Sequence, residues 1–543
     1  MSDEVMLISP PFDMGTRGVF PPLGLASLAA ELRNNGYDER VSIVDGCYLA
    51  QKHGYKQSMK MVEAELERRK PFVVGCSLQM YTLEGSLRAA FDAIKNGSHV
   101  IFGGYMASAI HKDLTKVVYD LKKELGFSSE VAVVRGEGEK TIKEITDALF
   151  HGKELYGIKG VTFHDGKEVV VNPDREPLDL NSLHPPALDM LPPLSEYDNK
   201  EGIIEESRGC VFNCSFCSIQ STHTSPRMKS PENIRREAEV IKKIGFDQLG
   251  FIGELLLLDG ERTLKIADHM EELDMKWSAD AHPSLVVKQR KILPKLAEKG
   301  LFSIEIGIES ATQHSLDILG KGTTPAMNRK ALNILKDSNI GQAIDFINFN
   351  PEMNMRDVYH NIMLLDKYLP SFYNQPVYPL NLLHRLAPNP GTPIYERLKA
   401  DGILTDKDCI MRLKYKSRRV AKVIKGYEYF LEKYLDAYRP RFKKVLDLCD
   451  AEHGKVGYSD NRINAAVKPP ILAMFISYRC AMFGLDPKEY IDYMVDKYFQ
   501  MLDAGNLLAG NNEVVDYVFD KMYKDAKTRS AIRNLERYGR AEH

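Results

Sequence analysis

Three cysteines, Cys210, Cys214 and Cys217, fall within one short stretch: Ser207-Arg208-Gly209-Cys210-Val211-Phe212-Asn213-Cys214-Ser215-Phe216-Cys217. The other five, Cys47, Cys76, Cys409, Cys449 and Cys480, are scattered. Eight cysteines in 543 residues are too few for a secreted disulfide scaffold. In a reducing compartment such a cluster serves a metal rather than a disulfide. A structural zinc site closes with four ligands, often as paired C-x2-C halves, and no second half is present. The four-cysteine iron–sulfur spacing lacks its last member. Three thiolates suit a [4Fe–4S] cluster with one iron open to a small-molecule ligand, an arrangement capable of chemistry as well as electron transfer.

The elements around this loop alternate in type. Strands are expected at 202–207, 248–253, 276–280, 302–310, 342–349 and 379–386, most separated by helical stretches. That pattern implies parallel pairing and an α/β partial barrel over 199–400, with the cysteines just after its first strand. Residues 1–148 read as a second α/β unit with strands at 5–11, 41–46, 72–78, 99–104 and 130–136, and helices over 24–36 and up to about residue 69. This is a doubly wound, Rossmann-like parallel sheet. Ligands bind such sheets at the carboxyl edge. Here that edge carries Ser9-Pro10-Pro11, Asp45-Gly46, Ser77, Gly103-Gly104 and Arg135-Gly136-Glu137-Gly138-Glu139. Residues 149–198 read as a linker: a hairpin turning at Asp165-Gly166, then LHPPALDMLPPL, with four prolines in twelve residues. Beyond 400 the pattern is helical, a C-terminal cap over 401–543 in which substrate choice is expected to reside.

Composition narrows the class. Seventy-three Lys+Arg against 75 Asp+Glu leave a net charge of −2, which excludes a global polyanion binder. The most apolar run, Ile471–Ser477, is soon interrupted by Arg479, so no membrane span is expected. The acidic start MSDEVMLISPPF shows no secretory signal. The expectation is a cytoplasmic, multidomain enzyme.

C-x3-C-x2-C after the first strand of a partial barrel, with Phe216 before the last cysteine, resembles the radical S-adenosylmethionine (SAM) superfamily. Further residues are similar to its branch with an N-terminal cobalamin-binding-type domain. These are Gly307-Ile308-Glu309-Ser310 followed by Leu319-Gly320-Lys321-Gly322, and Asn389-Pro390-Gly391-Thr392-Pro393-Ile394-Tyr395. Pro21-Pro22-Leu23-Gly24-Leu25, Gly103-Gly104, the Arg135–Glu139 run and the proline-rich linker fit as well. The resemblance implies a [4Fe–4S] cluster on Cys210, Cys214 and Cys217, with SAM on the open iron. It implies SAM contacts from Phe216, Gly253, Glu254, Glu309 and Ser310, and from Ser278, Asp280 or His282 on the third strand. For cobalamin it implies Pro22, Leu23, Gly24, Asp45, Gly46, Ser77, Gly103, Gly104, Gly136 and Glu137. It also implies an external electron donor of flavodoxin or ferredoxin type and anaerobic chemistry. Two stretches depart from the pattern. Asp45-Gly46-Cys47-Tyr48-Leu49-Ala50 stands where mutases carry D-x-H-x-x-G, so the histidine below cobalt is missing. Asn348-Phe349-Asn350-Pro351-Glu352 replaces a glycine-rich turn, and its asparagines are read as substrate or SAM contacts.

The leading expectation is a cobalamin-dependent radical SAM C-methyltransferase acting on an unactivated sp3 carbon, preferably of a peptide or protein side chain. Small molecules and lipids stay open, and no catalytic acid or base is singled out. The alternative is ring formation or carbon–carbon coupling on a lipid or small-molecule precursor, with or without cobalamin. A third reading, a nucleic-acid binder, draws on residues 412–425, which hold seven basic residues and no acidic one, followed by Tyr427, Tyr429, Tyr434 and Tyr438. The preferred account of that stretch is a solvated helix face whose tyrosines pack on neighbours, so nucleic acid is not an expected partner.

Overall fold

The computed structural model describes residues 2–12, 20–197, 201–219, 225–253, 255–368, 380–407, 410–453, 468–503, 516–518 and 520–527. Its first seven strands are β1 (Ser2–Ser9), β2 (Val41–Asp45), β3 (Pro71–Ser77), β4 (His99–Gly103), β5 (Val131–Val134), β6 (Val161–His164) and β7 (Val169–Val171). They form one sheet in the order β2-β1-β3-β4-β5-β6-β7. The first five are parallel. Val5, Met6, Leu7 and Ile8 are all buried, as a strand covered on both faces requires. Val5, Leu7, Val73 and Ile101 pack beneath helices Leu23–Leu32 and Glu139–Phe150. Met6, Ile8, Val74 and Phe102 face helices Tyr55–Arg69, Leu83–Lys95 and His111–Glu124. The expected doubly wound unit is therefore present. β1 stops at Ser9 because Pro10 and Pro11 have no N–H to donate.

Two expectations change here. Gly54, at φ +76°, splits the helix before Arg69 into Gly46–His53 and Tyr55–Arg69. The hairpin assigned to the linker is part of the first sheet: β6 pairs antiparallel with β5, and β7 with β6. Its Val161 and Phe163 are buried in the sheet's core.

The next strands are β8 (Gly202–Glu205), β9 (Ser207–Arg208), β10 (Arg227–Met228), β11 (Gln248–Ile252), β12 (Lys276–Ala281), β13 (Leu301–Glu309) and β14 (Gly341–Phe346). Five of them make a second sheet in the order β14-β13-β12-β11-β8. β8, β11, β12 and β13 run parallel. β9 and β10 form a separate antiparallel ribbon. The sixth strand expected at 379–386 does not form among the described residues. Leu380–Leu383 is a single helical turn, and one bridge joins Phe349 to Arg385. Asn348 Nδ2 takes the Leu382 carbonyl at 2.7 Å, and Pro388 and Pro390 cannot donate to a ladder.

The chain forms two compact units: 1–306 with 329–342 and 388–397, and 307–328 with 343–387 and 398–543. The C-terminal part is not helix alone: a short antiparallel pair, β15 (Leu404–Lys407) with β16 (Ile410–Leu413), precedes helices Arg418–His453, Lys468–Phe483 and Lys488–Asp503. Tyr427, Tyr434 and Tyr438 are buried, and Tyr429 donates to Asp492 at 2.8 Å. Tyr427, Tyr434 and Tyr438 pack within the helices rather than standing out from them. No described helix is long and apolar enough to cross a membrane.

Candidate radical SAM site

The cysteine loop leaves β9 at Gly209, whose φ is +79°. A β-carbon there would lie 2.5 Å from the Ser225 carbonyl, so only glycine lets the chain turn at this point. Cys214 is buried and Cys210 and Cys217 are half-buried, with Cys217 N–H donating to the Cys214 carbonyl at 3.2 Å. The far side of the loop is tied by Ile394 N–H to the Ser215 carbonyl at 3.0 Å, which gives the Pro-Gly-Thr-Pro element a structural task. Among the described residues no three His, Cys, Asp or Glu side chains are gathered to hold a single ion. Thiolates of a cluster bind separate irons and need not converge on one point, so three cysteines in one loop are compatible with a cluster.

Behind the loop lies a residue that the sequence did not single out. Glu206, fully buried between β8 and β9, accepts from Ser207 Oγ (2.5 Å), Leu255 N–H (3.1 Å) and Arg262 Nη2 (2.8 Å). Arg262 also donates to the Glu206 and Lys229 carbonyls. One carboxylate thus joins the start of the cysteine loop, the turn after β11 and the return strand β10. Gly253 sits in that turn at φ +133°, and a β-carbon on it would lie 2.6 Å from Ser207 Oγ and 2.9 Å from Glu206 Oε1. The glycine is therefore required by the close packing of this turn against Ser207 and Glu206. Glu254 lies outside the described residues.

Phe212, inside the cysteine loop, stacks on His282 with ring centroids 3.6 Å apart. His282 is only 3% exposed and caps helix Pro283–Lys288, its Nδ1 within 2.8 Å of Ser284 Oγ. It is a buried support of the loop rather than the surface residue that a histidine before proline suggests. Phe216 is half-buried. Ser278 donates to Glu201 Oε2 at 3.2 Å, and burial pushes the Glu201 carboxyl above its ordinary range. Asp280 is on the same face of β12 as Ser278 and is half-buried.

At the carboxyl edge of the first sheet, Gly103 has open space where a side chain would project. Gly104, at φ +101°, packs against Leu78, whose carbonyl would be 2.8 Å from a β-carbon. Gly24 is exposed and open at the start of its helix, after Pro22 and Leu23. These positions give the edge the bare backbone that a flat ligand such as a corrin needs. Other expected contacts are committed elsewhere. Asp45 caps helix Gly46–His53 through Cys47 and Tyr48 N–H and accepts from Tyr197 Oη at 2.7 Å; burial raises its carboxyl pKa. Gly46 is required by packing, since a β-carbon would lie 2.6 Å from the Ser9 carbonyl. Cys47, in the place of the mutase histidine, is within 3.4 Å of Ser9 Oγ and 3.3 Å of the Pro10 carbonyl, and burial pushes its thiol up to about 12. It is not poised as a metal ligand. The Ser77 carbonyl accepts from Ser86 Oγ, and Gly136 N–H donates to Ser108 Oγ. The Glu137 carboxylate takes Arg227 and the Leu178 N–H, with Arg208 at 3.5 Å.

In the second unit the Gly-Ile-Glu-Ser and Lys-Gly motifs meet. Glu309 ends β13 at φ +59°, a strained conformation for a side-chain-bearing residue. Its Oε1 is 3.0 Å from Lys321 Nζ, and both side chains are buried. A β-carbon at Gly307 would lie 2.5 Å from Lys321 Nζ, which explains the glycine. Ser310 is buried and bonded to Asn361 at 3.1 Å, and Asn328 holds the Ile308 carbonyl. Asn348 and Asn350 are fixed inside as well, on Leu382 and Ser315, so the asparagines read as ligand contacts are internal ties.

Comparison with known proteins bears on the same residues. Residues 204–365 match the radical SAM superfamily. An uncharacterized methyltransferase of Pyrococcus horikoshii is 28% identical over 457 residues, 78% of this chain and 91% of that protein. An anaerobic magnesium-protoporphyrin IX monomethyl ester cyclase of Rubrivivax gelatinosus is 28% identical over 367 residues, 63% of this chain and 62% of that one. Among solved structures, the cobalamin-dependent SAM radical enzyme OxsB with aqua-cobalamin and SAM bound has the same fold. Its TM-score is 0.69 at 17% identity, covering 98% of this chain and 80% of that chain.

Proposed function

We propose that this chain, whose residues 204–365 match the radical SAM superfamily, is a cobalamin-dependent C-methyltransferase acting on an unactivated sp3 carbon. The observation that carries this reading is the pairing, in one compact unit, of the three-cysteine loop with the open Gly103 position at the carboxyl edge of a doubly wound sheet. When bound, the cluster and SAM supply a carbon-centred radical that removes hydrogen from the substrate, and cobalamin supplies the methyl group. The chain's own residues bind and orient. Cys210, Cys214 and Cys217 would hold the cluster, and Gly103-Gly104 would face the corrin. Glu206 keeps the cysteine loop and the Gly253 turn in register, and rigid placement of this kind is how an enzyme lowers the entropic barrier between reactants.

Beside the peptide side chain expected from the sequence, a small molecule is proposed as substrate. The relatives' names specify a magnesium-protoporphyrin ester and, in Methylococcus capsulatus, a hopanoid, both ring systems with unactivated carbons. The named cyclase favours ring formation as the second reading. Anaerobic purification after expression with cobalamin, followed by iron, sulfide and cobalamin analysis, tests the cofactor set on which the methyltransferase reading depends. About four irons and one cobalamin per chain are expected. A cluster without cobalamin turns the assignment to ring formation, and zinc in place of iron defeats both.

A further inference from the structure

The Arg135–Glu139 run ends the first sheet's last parallel strand, yet its carboxylates reach the base of the cysteine loop. Glu137 accepts from Arg227, by a contact of Nη2 to Oε1 and by Nη1 to Oε2 at 3.2 Å. It lies 3.5 Å from Arg208 as well. Glu139 takes Arg208 at 2.5 Å and Glu205 takes it at 2.9 Å. The Arg208 and Glu137 side chains are 8% and 7% exposed. Arg208 and Arg227 are direct partners across the β9–β10 ribbon. Two cations facing each other across a strand pair repel, and in a buried place little water screens them. Glu137 lies against both. The ribbon is the neck of the cysteine loop, since residues 209–226 run between its two strands and contain all three cysteines.

We propose that Glu137 is a positioning residue for the cluster, closing the neck of the cysteine loop from the neighbouring sheet, rather than a corrinoid contact. The inference rests on the reading that the three cysteines hold a [4Fe–4S] cluster. Arg227 also donates to the Leu178 carbonyl at 2.5 Å while Glu137 accepts the Leu178 N–H at 2.9 Å, so the same pair pins the chain that links the two sheets. Removing the carboxylate takes from Arg227 its Glu137 partner, while Arg208 keeps Glu139 and Glu205, and so loosens the neck on the Arg227 side.

The test compares wild type, E137Q, R227M and E137Q/R227M, each purified anaerobically with cobalamin. Iron, sulfide and cobalamin are counted per chain, iron loss to a ferrous chelator is timed, and the reduced cluster's EPR spectrum is taken with and without SAM. E137Q is expected to release iron on the order of tenfold faster or more, because breaking a buried ion pair costs several kcal/mol, with cobalamin content unchanged. The double variant, which removes the opposed cation, is expected to regain slow release and the wild-type spectrum. R227M strands the buried Glu137 carboxylate, with Arg208 at 3.5 Å, and is expected to release iron on the order of tenfold faster as well; it decides the matter if E137Q does not fold. Cobalamin lost with the cluster retained, or wild-type iron release in either single variant, would each overturn the inference. A wild-type chain holding no iron would overturn it together with the functional reading.

Discussion

Glu206→Gln tests the frame behind the cysteine loop. The carboxylate accepts on both oxygens, Oε1 from Ser207 and Leu255 and Oε2 from Arg262. A glutamine turns one acceptor into a donor. Facing Arg262, its NH2 meets a guanidinium; turned over, it meets the Leu255 N–H. Either orientation forfeits a charge-assisted bond of about 1.5 to 3 kcal/mol and leaves Arg262 as a buried, uncompensated cation, for a total of about 3 to 5 kcal/mol. Amide hydrogen exchange reads this locally, because Leu255 N–H is bonded to Glu206 and Lys229 N–H to the Glu206 carbonyl. Exchange at these two amides is expected to accelerate about 10²- to 10³-fold, at roughly 1.4 kcal/mol per decade. Arg262→Met alone should act alike. The double variant should cost less than the sum by at least about 1.5 kcal/mol, since each single change leaves the other partner stranded. Exchange in E206Q within tenfold of wild type, or additive single effects, would refute the reasoning.

Two further outcomes are expected. Lys321→Met strands Glu309 in its left-handed conformation and should cost about 3 to 5 kcal/mol in urea unfolding, with E309Q/K321M recovering much of it; a cost below about 1 kcal/mol would count against the pair. Burial pushes the Cys47 and Cys76 thiols from 9.0 up to about 12. The unfolded thiols then ionise first, so stability is intact below pH 9 and falls as pH rises towards 12. Each thiol should contribute a loss of about 1.4 kcal/mol between pH 8 and pH 10, and Cys76→Ala should remove its share of that slope.

What was legible in the sequence was what local pattern encodes. β1 to β5 are short apolar runs bounded by glycine or proline, and the cysteine spacing fixes the loop. What was not legible depends on partners distant in the chain. Glu206, in a run ending Glu-Glu-Ser, looks like a solvated strand end, and only Arg262, 56 residues on, shows it to be buried. His282 before Pro283 looks like a surface residue until Phe212 stacks on it. The segment 379–386 has the apolar content of a strand, but a side-chain amide claims one carbonyl and prolines follow. Glu309 and Lys321 were singled out by motif, while the reason for Gly307, room for the lysine, needed three dimensions.

The ribbon at the neck of the cysteine loop also sets an order of events during synthesis. Glu137 precedes Arg227 by 90 residues, an interval of roughly 5 to 20 s on the ribosome. The first sheet ends at Val171, so all its strands have been made before any of the three cysteines emerges. The acidic side of the neck is therefore synthesised first, ahead of the chain that carries the cysteines.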